Sequence, residues 1–309
     1  MNDDVLMDNT NPLVSIIMNC YNSDRYLKEA IDSIYSQTYS NWEIIFWDNA
    51  STDKSAKIAN SYDKKLKYFL AEKTTQLGEA RNLALKKAVG KYIAFLDCDD
   101  IYFSEKISRQ VHNMEISNGV LSYGGAIVIN ESGREINRYI PKNKSGYVFS
   151  KLLKKYEINM QSVCILNDIL KKHKLGFDET LKYCPDYNLF MKIATLGHVD
   201  VINDYVVKYR KHDNSLSSRT YHLIHKEMRY TLDALFADHR LLYNNKLSAE
   251  IAYKMLCFYE AIPYIDSGDF AQARLCLKKV ASLKLKYFLL YLLFFLPIPP
   301  RFIVKKIVG

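Results

Sequence analysis

The sequence lacks most of the signals that assign a chain to a compartment. Its six cysteines form no CxxC pair and show no spacing typical of a metal site, so we interpret them as free thiols in a reducing environment. The first eleven residues are acidic and contain neither a basic start nor an apolar run, so we expect no secretory signal. These features together predict a cytoplasmic protein.

Two phosphate-binding motifs are also missing. No GxGxxG follows the first predicted strand, which argues against a Rossmann dehydrogenase. No glycine-rich, basic loop lies near the N-terminus, where a nucleotidyltransferase would hold a triphosphate. Both classes are therefore disfavoured.

The chain has little net positive charge outside its C-terminal region. The formal net charge is +9, but seven Lys and Arg residues follow Leu277 with no Asp or Glu among them, so the rest is close to neutral. This distribution argues against a nucleic-acid partner and indicates a local basic tail. With 309 residues, of which 49% are hydrophobic and 25% charged, the chain is an ordinary globular protein of one large domain with an appendage, or of two domains.

Short apolar strands alternate with helices in the first hundred residues. The predicted strands cover residues 14–18, 42–47, 67–70 and 92–96. The helices between them carry apolar residues at three- and four-residue spacing, and the last, 78–89, is followed by Gly90 as a C-terminal cap. Strands that are apolar on both faces and separated by helices are typical of a mostly parallel sheet covered on both sides.

A polar cluster follows three of these strands, at residues 19–22, 48–53 and 97–100. Ligands of such sheets bind at the carboxyl ends of the strands, so we expect the three clusters to share one site. The last cluster contains Asp97, Asp99 and Asp100. Carboxylates this close favour a hard divalent ion, Mg²⁺ or Mn²⁺, completed by substrate phosphates. The alternative is a solvated acidic turn.

Three stretches in these clusters carry a family resemblance: VSIIMNCYN, IIFWDNASTDKS and GEARNLALKKAVGKYIAFLDCDD, in this order within residues 13–100. They resemble the opening strand, the nucleotide-binding turn and the DxD motif of family 2 glycosyltransferases. The resemblance implies an α/β fold of the GT-A type, a Rossmann-like, mostly parallel sheet with flanking helices, here with a C-terminal helical extension. It also implies a nucleoside-diphosphate sugar as donor, UDP being favoured, and a divalent metal, Mn²⁺ or Mg²⁺.

The resemblance assigns donor-binding roles by position. Tyr21 and Asn22 would belong to the pocket for the nucleotide base, Asp48 would bond to the base or ribose, and Arg81 in the ARN triplet would contact the nucleotide. Two bland alternatives stay open. Asp48 caps the following helix in one of them, and Arg81 forms a surface ion pair in the other.

The metal site implied by the resemblance centres on the DxD motif. Asp97 would lie near the ribose and the metal, and Asp99 would bind the metal that bridges the diphosphate. The segment KYRKH resembles a Tyr-Arg-x-His segment of the family, which would bring His212 to the metal or the diphosphate. An exposed histidine without a ligand is the alternative.

An acidic residue follows the segment GFDE at residues 176–179. In the resembling family such a segment precedes Glu-Asp, whose Asp is the general base; here Pro185 replaces the Glu and Asp186 keeps the Asp. An inverting transfer needs one carboxylate to take the proton of the attacking hydroxyl. Asp186 is therefore the predicted base. Capping of the helix predicted over 185–196 is the alternative, since acids favour helix starts.

The remaining elements are predicted more coarsely. We expect a helix over residues 101–117, strands over 120–129, 135–139, 162–166 and 199–209, and a helical hairpin with segments 251–265 and 270–283. The predicted division is a leader at 1–12, a GT-A domain at 13–215, a helical extension at 216–283 and a tail at 284–309.

The tail contains ten apolar residues, 287–296, with basic residues on both sides. Ten residues cannot cross a hydrocarbon core that needs about twenty. A buried core helix is one interpretation. The basic flanks favour the other, an interfacial segment on the inner face of an anionic membrane.

The sequence thus predicts a hexosyl- or N-acetylhexosaminyl-type glycosyltransferase. It would be inverting, cytoplasmic and peripheral on the membrane, and would act on a glycan or lipid-linked glycan in surface-polysaccharide synthesis. A nucleotidyltransferase and a catalytically inactive nucleotide-sugar-binding module are the alternatives.

Overall fold

The computed structural model describes residues 11–212 and 223–294. The chain folds into two units: residues 11–147 with Ile158–Thr180 and Ile193–Lys211 form the first, and Val148–Glu157, Leu181–Lys192 and the described residues from His212 form the second. Two short segments inside the predicted GT-A domain therefore group with the C-terminal helices. The predicted boundary at 215/216, most of the predicted leader and the last fifteen residues of the tail lie outside the described residues.

Nine strands of the described residues form one sheet in the first unit: β1 (Val14–Cys20), β2 (Trp42–Asp48), β3 (Leu66–Leu70), β4 (Tyr92–Phe95), β5 (Ile101–Tyr102), β6 (Leu121–Ile129), β7 (Glu135–Tyr139), β8 (Cys164–Leu166) and β9 (Val199–Arg210). Their order is β3-β2-β1-β4-β8-β6-β9-β5, and β7 pairs with β6. The sheet has a parallel half and a mixed half.

The parallel half consists of the first four strands. β1 pairs in parallel with both β2 and β4, and β2 pairs in parallel with β3. All seven residues of β2 and all four of β4 are buried, as expected for strands covered on both faces. In the mixed half, β8 runs antiparallel to β4 and β6, while β9 runs parallel to β6 and antiparallel to β5.

Twelve α-helices occur in the described residues: α1 (Asp24–Tyr35), α2 (Ser55–Ala59), α3 (Leu77–Leu85), α4 (Lys106–Ser117), α5 (Phe149–Lys154), α6 (Asn167–Lys172), α7 (Pro185–Ala194), α8 (Ile224–Phe236), α9 (His239–Asn244), α10 (Lys246–Ser267), α11 (Phe270–Ala281) and α12 (Leu285–Leu293). Residues Met160–Ser162 form a 3-10 turn before β8. The short helices α5 and α6 were not predicted.

The core of the first unit lies on the sheet. Ile16, Met18 and Phe46 of β1 and β2 are fully buried and pack with Leu27 and Ile31 of α1. The apolar spacing of α1 therefore marks the face that covers the parallel half of the sheet.

Helices alone build the core at the C-terminal end of the second unit. α10 and α11 form the predicted hairpin, and Gly268 between them takes a positive φ of 83°, which favours glycine at a helix C-terminus. Phe258, Leu277 and Leu290 belong to one buried cluster there. None of the helices in residues 11–212 and 223–294 is both long and apolar enough to cross a membrane.

Two details differ from the prediction. The predicted helix 101–117 begins at Lys106, because Ile101 and Tyr102 pair with β9 instead. The helix predicted over 78–89 ends at Leu85, and Gly90 is not its cap. A Cβ atom at Gly90 would lie 2.7 Å from the backbone of Leu13 and Ser15, so this glycine allows a close approach to the start of β1.

Candidate active site

The loops after β1, β2 and β4 lie at one edge of the sheet, as the parallel pattern predicts. The backbone N–H of Asn49 donates to the Cys20 carbonyl oxygen at 2.8 Å, which joins the first two loops. The Cys98 thiol donates to the Asn19 carbonyl oxygen at 3.3 Å, which joins the first and the third. The three polar clusters therefore form one continuous polar edge.

Asn22 adopts a left-handed conformation with φ of 48° in the first of these loops. Its Oδ1 accepts a hydrogen bond from the Thr52 backbone N–H at 2.8 Å, and its own N–H donates to Ser51 Oγ at 3.1 Å. The preceding Tyr21 is 54% exposed. The loop is thus fixed through Asn22, while the Tyr21 ring is available to stack on a flat ligand.

Asp48 at the end of β2 is completely buried and both carboxylate oxygens are occupied. Oδ1 accepts from the Ser51 N–H and Oδ2 from the Tyr68 hydroxyl, each at 2.7 Å. Burial, followed by the bond to Asp48, raises the pKa of Tyr68. Asp48 does not cap α2, because the carboxylate at the start of this helix is that of Asp53, whose Oδ1 accepts from the Ser55 N–H at 2.9 Å. Asp48 therefore shapes the loop from within.

Arg81 of α3 is buried, so the alternative of a surface ion pair is wrong. Its Nη2 lies 3.4 Å from Asp97 Oδ1, and its guanidinium lies 5.4 Å from the centre of the Phe177 ring. Within the described residues its Nε is buried without a hydrogen-bond partner. A buried donor without an acceptor is costly, about 1–3 kcal/mol, and a bound anion could satisfy it.

The neighbouring Asn82 joins the ARN triplet to the GFDE segment. Its Oδ1 accepts from the Phe177 N–H and its Nδ2 donates to the Phe177 carbonyl oxygen, both at 2.8 Å. Nδ2 also lies 2.8 Å from Glu179 Oε1. The two sequence motifs, almost a hundred residues apart, are therefore one structural element.

Asp97 is held by Gln161, a residue that no sequence motif marks. The Gln161 Oε1 accepts from the Asp97 backbone N–H at 2.8 Å, and its Nε2 donates to Asp97 Oδ2. Gln161 is buried, whereas the Asp97 side chain is 39% exposed. Gln161 thus fixes the Asp97 carboxylate from the buried side, and the remaining surface of the carboxylate is exposed.

Asp99 and Asp100 behave differently although they are adjacent. Asp99 is half-buried, whereas Asp100 is fully buried. Burial, and then the negative charges of Asp99 and Asp97, raise the pKa of Asp100 well above its usual range. Asp97 and Asp99 are therefore the two partly exposed carboxylates of this turn.

Arg210 anchors this acidic turn. Its backbone N–H donates to Asp100 Oδ1 at 2.6 Å and its Nε to the Asp99 carbonyl oxygen at 2.9 Å. Its Nη2 pairs with Glu29 Oε2 at 2.6 Å, and the guanidinium lies 4.3 Å from the centre of the Tyr26 ring. Arg210 is 2% exposed, so a buried cation supports the backbone beneath the DxD motif. The KYRKH segment contains Arg210, but its resemblance to the family pointed only to His212, so this anchor was not predicted.

The acidic turn fits a divalent ion bound mainly by its substrate. In residues 11–212 and 223–294, no group of three or more His, Cys, Asp or Glu side chains is arranged to hold a metal. Asp97 and Asp99 offer two partly exposed carboxylates. Mg²⁺ or Mn²⁺ held by one or two carboxylates, waters and phosphates needs no more than this.

In the second unit, Asp186 lies in the first turn of α7, which begins at Pro185 as predicted, and is half-buried. The residues before this helix are held by Glu227 of α8. Its carboxylate accepts three consecutive backbone N–H groups, those of Lys182, Tyr183 and Cys184, at 2.7, 2.9 and 2.8 Å. Glu227 therefore fixes the start of the helix that carries Asp186, and no sequence motif marks Glu227 for this role.

Packing completes the setting of α7. Tyr187 contacts Tyr156 edge to face with ring centres 4.8 Å apart, and Asn188 Nδ2 donates to Thr231 Oγ1 at 3.0 Å. Burial, and then the charges of Asp186 and Glu227, raise the pKa of the Cys184 thiol. The thiol next to the predicted base is thus neutral and unreactive.

His212 also belongs to the second unit and is half-buried. The residues that follow it lie outside the described part of the chain. Its role as a metal ligand stays a prediction, as do the ligand roles of the other predicted residues.

Proteins of similar sequence show the family to which this chain belongs. A glucosyltransferase of Escherichia coli, WfgD, whose name describes transfer from UDP-Glc to α-D-GlcNAc-diphosphoundecaprenol with a β-1,3 linkage, is 32% identical over 72% of this chain and 85% of its own length. The family model described as glycosyl transferase family 2 matches residues 15–167. This chain belongs to glycosyltransferase family 2. The family resemblance of the three motifs is thereby confirmed.

An uncharacterized glycosyltransferase of Rickettsia typhi is 36% identical over 65% of this chain and 65% of its own length. This chain therefore spans slightly less than two thirds of that relative.

Solved structures confirm the GT-A fold of this family 2 member. TarS of S. aureus in complex with UDP-GlcNAc superposes with a TM-score of 0.66 at 19% identity, covering 87% of this chain and 80% of TarS. The mannosyltransferase PcManGT of Pyrobaculum calidifontis, in complex with GDP-Man and Mn²⁺, gives 0.61 at 17% identity, covering 89% and 77%.

Proposed function

We propose that this family 2 protein transfers a sugar, with inversion, from a nucleoside-diphosphate sugar to a hydroxyl of a glycan or lipid-linked glycan. The observation that carries the proposal is the fixed Asp97 carboxylate, held by Gln161 and Arg81 at the edge where three strand-end loops meet. A preorganised carboxylate beside a buried guanidinium suits a diphosphate and its metal.

The donor side uses the edge of the first unit. Tyr21 stacks on the base, Asn22 and Asp48 shape the base and ribose pocket, and Arg81 approaches the diphosphate. This assignment is supported by the exposure of Tyr21 and by the buried Nε of Arg81, which has no partner within the described residues.

Asp97 and Asp99 would hold the metal, with His212 as a further candidate. The metal, Mn²⁺ or Mg²⁺, would neutralise charge that develops on the leaving diphosphate. The Mn²⁺ in the PcManGT structure supports this choice.

Asp186 is the proposed base. The acceptor oxygen forms a bond to the anomeric carbon while the bond from that carbon to the diphosphate oxygen breaks. The hydroxyl proton passes to Asp186, and the electron pair leaves with the nucleoside diphosphate. Two features favour this role over simple capping. Asp186 follows the GFDE segment, and the Glu227 carboxylate fixes the residues before Asp186 by accepting three of their N–H groups.

The donor and acceptor classes follow the named relative. WfgD, by its name, uses UDP-Glc and a diphosphoundecaprenol-linked sugar. We therefore favour a UDP-sugar and a lipid-linked acceptor at the cytoplasmic face of the membrane, in the synthesis of a surface polysaccharide. The basic, partly apolar C-terminal tail supports membrane proximity.

Calorimetric titration with UDP-, GDP- and dTDP-sugars, with and without Mn²⁺, tests this function. We expect one donor to bind the wild type with Mn²⁺ and to lose at least tenfold in affinity in Asp99→Ala. Asp168→Ala is the matched control, because this exposed acid begins α6 at the opposite edge of the sheet, where Leu166 pairs with Tyr92. Failure of every donor to bind the wild type would contradict the proposal.

A further inference from the structure

The second unit contains a cavity of about 450 Å³ that includes Asp186 in its wall. All its lining residues belong to the second unit and come from helices α5, α7, α8, α10 and α12 or from the residues directly beside α5, α7 and α12. The volume lies in the range of small-molecule sites, about 300–1,000 Å³. The proposed base therefore faces a site of ligand size built by the C-terminal helices.

Most of the cavity wall is apolar or aromatic. Leu152, Met228, Met255 and Leu256 contribute aliphatic surface, and Tyr259 adds a ring beside them. A surface of this kind suits a hydrocarbon chain or the faces of a sugar better than a second highly charged nucleotide.

The charged side chains of the wall are four lysines and Asp186. Lys155 pairs with Glu157 at 2.9 Å, and Lys286 lies 4.8 Å from the centre of the Tyr287 ring. Within the described part of the chain, Lys154 and Lys284 pair with no carboxylate. Two exposed positive charges beside an apolar cavity complement an amphiphilic anion.

An exposed apolar stripe begins next to Lys284. Leu285, Phe288, Leu289 and Leu292 of α12 are 71%, 45%, 51% and 43% exposed, whereas Leu290 of the same helix is fully buried. Their spacing of three and four residues places them on one side of the helix. A hydrocarbon chain whose anionic head is bound at Lys284 would have this exposed apolar surface beside it.

We propose that this cavity binds a sugar linked through diphosphate to a polyisoprenyl chain. The sugar hydroxyl points to Asp186, Lys154 and Lys284 neutralise the diphosphate, and the first isoprene units lie on the aliphatic wall and the α12 stripe. This inference rests on the proposed function, whose acceptor class it assigns to particular residues. The base and the acceptor anchor then belong to the same unit.

The test is calorimetric binding of farnesyl diphosphate, a soluble stand-in, below its critical micelle concentration. We expect a single site in the wild type and at least a tenfold weaker one in Lys154→Ala/Lys284→Ala. The matched control is Lys278→Ala/Lys279→Ala, which removes two exposed lysines of α11 that do not line the cavity, and it should stay within twofold.

Two further probes separate the parts of the ligand. Inorganic diphosphate and farnesol should each bind at least tenfold more weakly than farnesyl diphosphate, because each lacks one of the two recognised parts. Equal weakening in both double variants would overturn the proposal in favour of general attraction between basic residues and anions. Absence of farnesyl diphosphate binding to the wild type would overturn it as well.

The nucleotide-sugar titration distinguishes this inference from the function on which it rests. Donor binding without farnesyl diphosphate binding would remove the lipid site and leave the transferase intact. In the double variant at Lys154 and Lys284 the donor affinity should stay within twofold of the wild type, since both lysines lie outside the unit that carries the DxD motif.

Discussion

In the first unit, side-chain hydrogen bonds between distant segments hold the loops that carry the predicted site residues, whereas in the second unit helix packing and one carboxylate hold the segment that carries the predicted base. Gln161, Arg210 and Asn82 each bridge segments more than sixty residues apart. Around Asp186, Glu227 alone accepts three N–H groups. The difference suggests that a diphosphate and a metal require fixed polar geometry, while an apolar acceptor needs mainly a shaped surface.

Among the substitutions in the hydrogen-bonded loops of the first unit, replacement of Arg210 should lower stability and donor affinity the most. Arg210→Lys keeps the charge but cannot bond at once to Asp99, Glu29 and the loop carbonyls. We expect the free energy of unfolding to fall by about 3 kcal/mol, measured by chemical denaturation, and donor affinity to fall about tenfold.

The control for that change is Arg109→Lys, because Arg109 makes an exposed pair with Asp204 at 2.9 Å. Its effect should stay below about 0.5 kcal/mol, as for most surface ion pairs. Equal effects of the two substitutions would show that buried Arg210 contributes no more to stability than exposed Arg109.

Glu227 tests the second unit in the same way. In Glu227→Gln the side chain places an amide donor against some of the three N–H groups, so we expect about 2 kcal/mol of destabilisation and about a tenfold lower kcat. Donor affinity should not change. Glu250→Gln on the exposed surface of α10 serves as the control in both denaturation and kinetics. A loss of donor affinity in Glu227→Gln would contradict the assignment of donor binding to the first unit alone.

A smaller effect is expected at Gln161. Gln161→Leu removes both bonds to Asp97, so the carboxylate should become mobile and Mn²⁺-dependent donor binding about fivefold weaker, with about 1–2 kcal/mol of stability lost. Gln272→Leu, on an exposed position of α11, should be neutral. Unchanged donor binding in Gln161→Leu would mean that Asp97 needs no support.

The last effect concerns stability alone and depends on Lys106, whose side chain is fully buried in the first unit. Burial lowers its pKa from 10.5 to about 7, and only Gln110 Oε1 and the Val163 carbonyl oxygen accept from its Nζ among the described residues. Above pH 7 the unfolded chain holds a proton that the folded chain has lost. Stability should therefore rise with pH from about 7, by up to about 1.4 kcal/mol per pH unit.

Lys106→Met should remove this dependence. Its stability relative to the wild type should be highest at or below pH 7 and decline by about 1–2 kcal/mol up to pH 8.5, as thermal denaturation at each pH would show. Lys86→Met, an exposed lysine, should track the wild type throughout. A constant difference between Lys106→Met and the wild type would contradict a neutral Lys106.

The sequence predicted the parts of the site that are local in the chain. The strand-end loops with Asn22, Asp48 and Asp97 could be placed because a parallel sheet puts such loops at one edge. The supporting residues could not be found in this way, because the bond between Gln161 and Asp97 joins residues 64 positions apart, and Glu227 looks like any exposed acid of an amphipathic helix.

The two incorrect predictions, the helix start at Ile101 and the cap at Gly90, also result from contacts between distant segments. Ile101 and Tyr102 carry no local signal against a helix, and their pairing with β9 depends on residues about a hundred positions away. Gly90 follows a helix and so resembles a cap, but its lack of a Cβ serves the contact with β1. Long-range packing decided both positions.

The central claim is that Asp186 acts as the base without taking part in donor binding. Its most direct test is to measure both turnover and donor affinity in Asp186→Asn. With the donor selected by calorimetry and a diphospholipid-linked sugar that the wild type accepts, we predict a loss of turnover of about 10²–10⁴-fold. Donor binding should stay within twofold of the wild type. Retained turnover would contradict the assignment of Asp186 as base, and loss of donor binding together with turnover would contradict the division of labour between the two units.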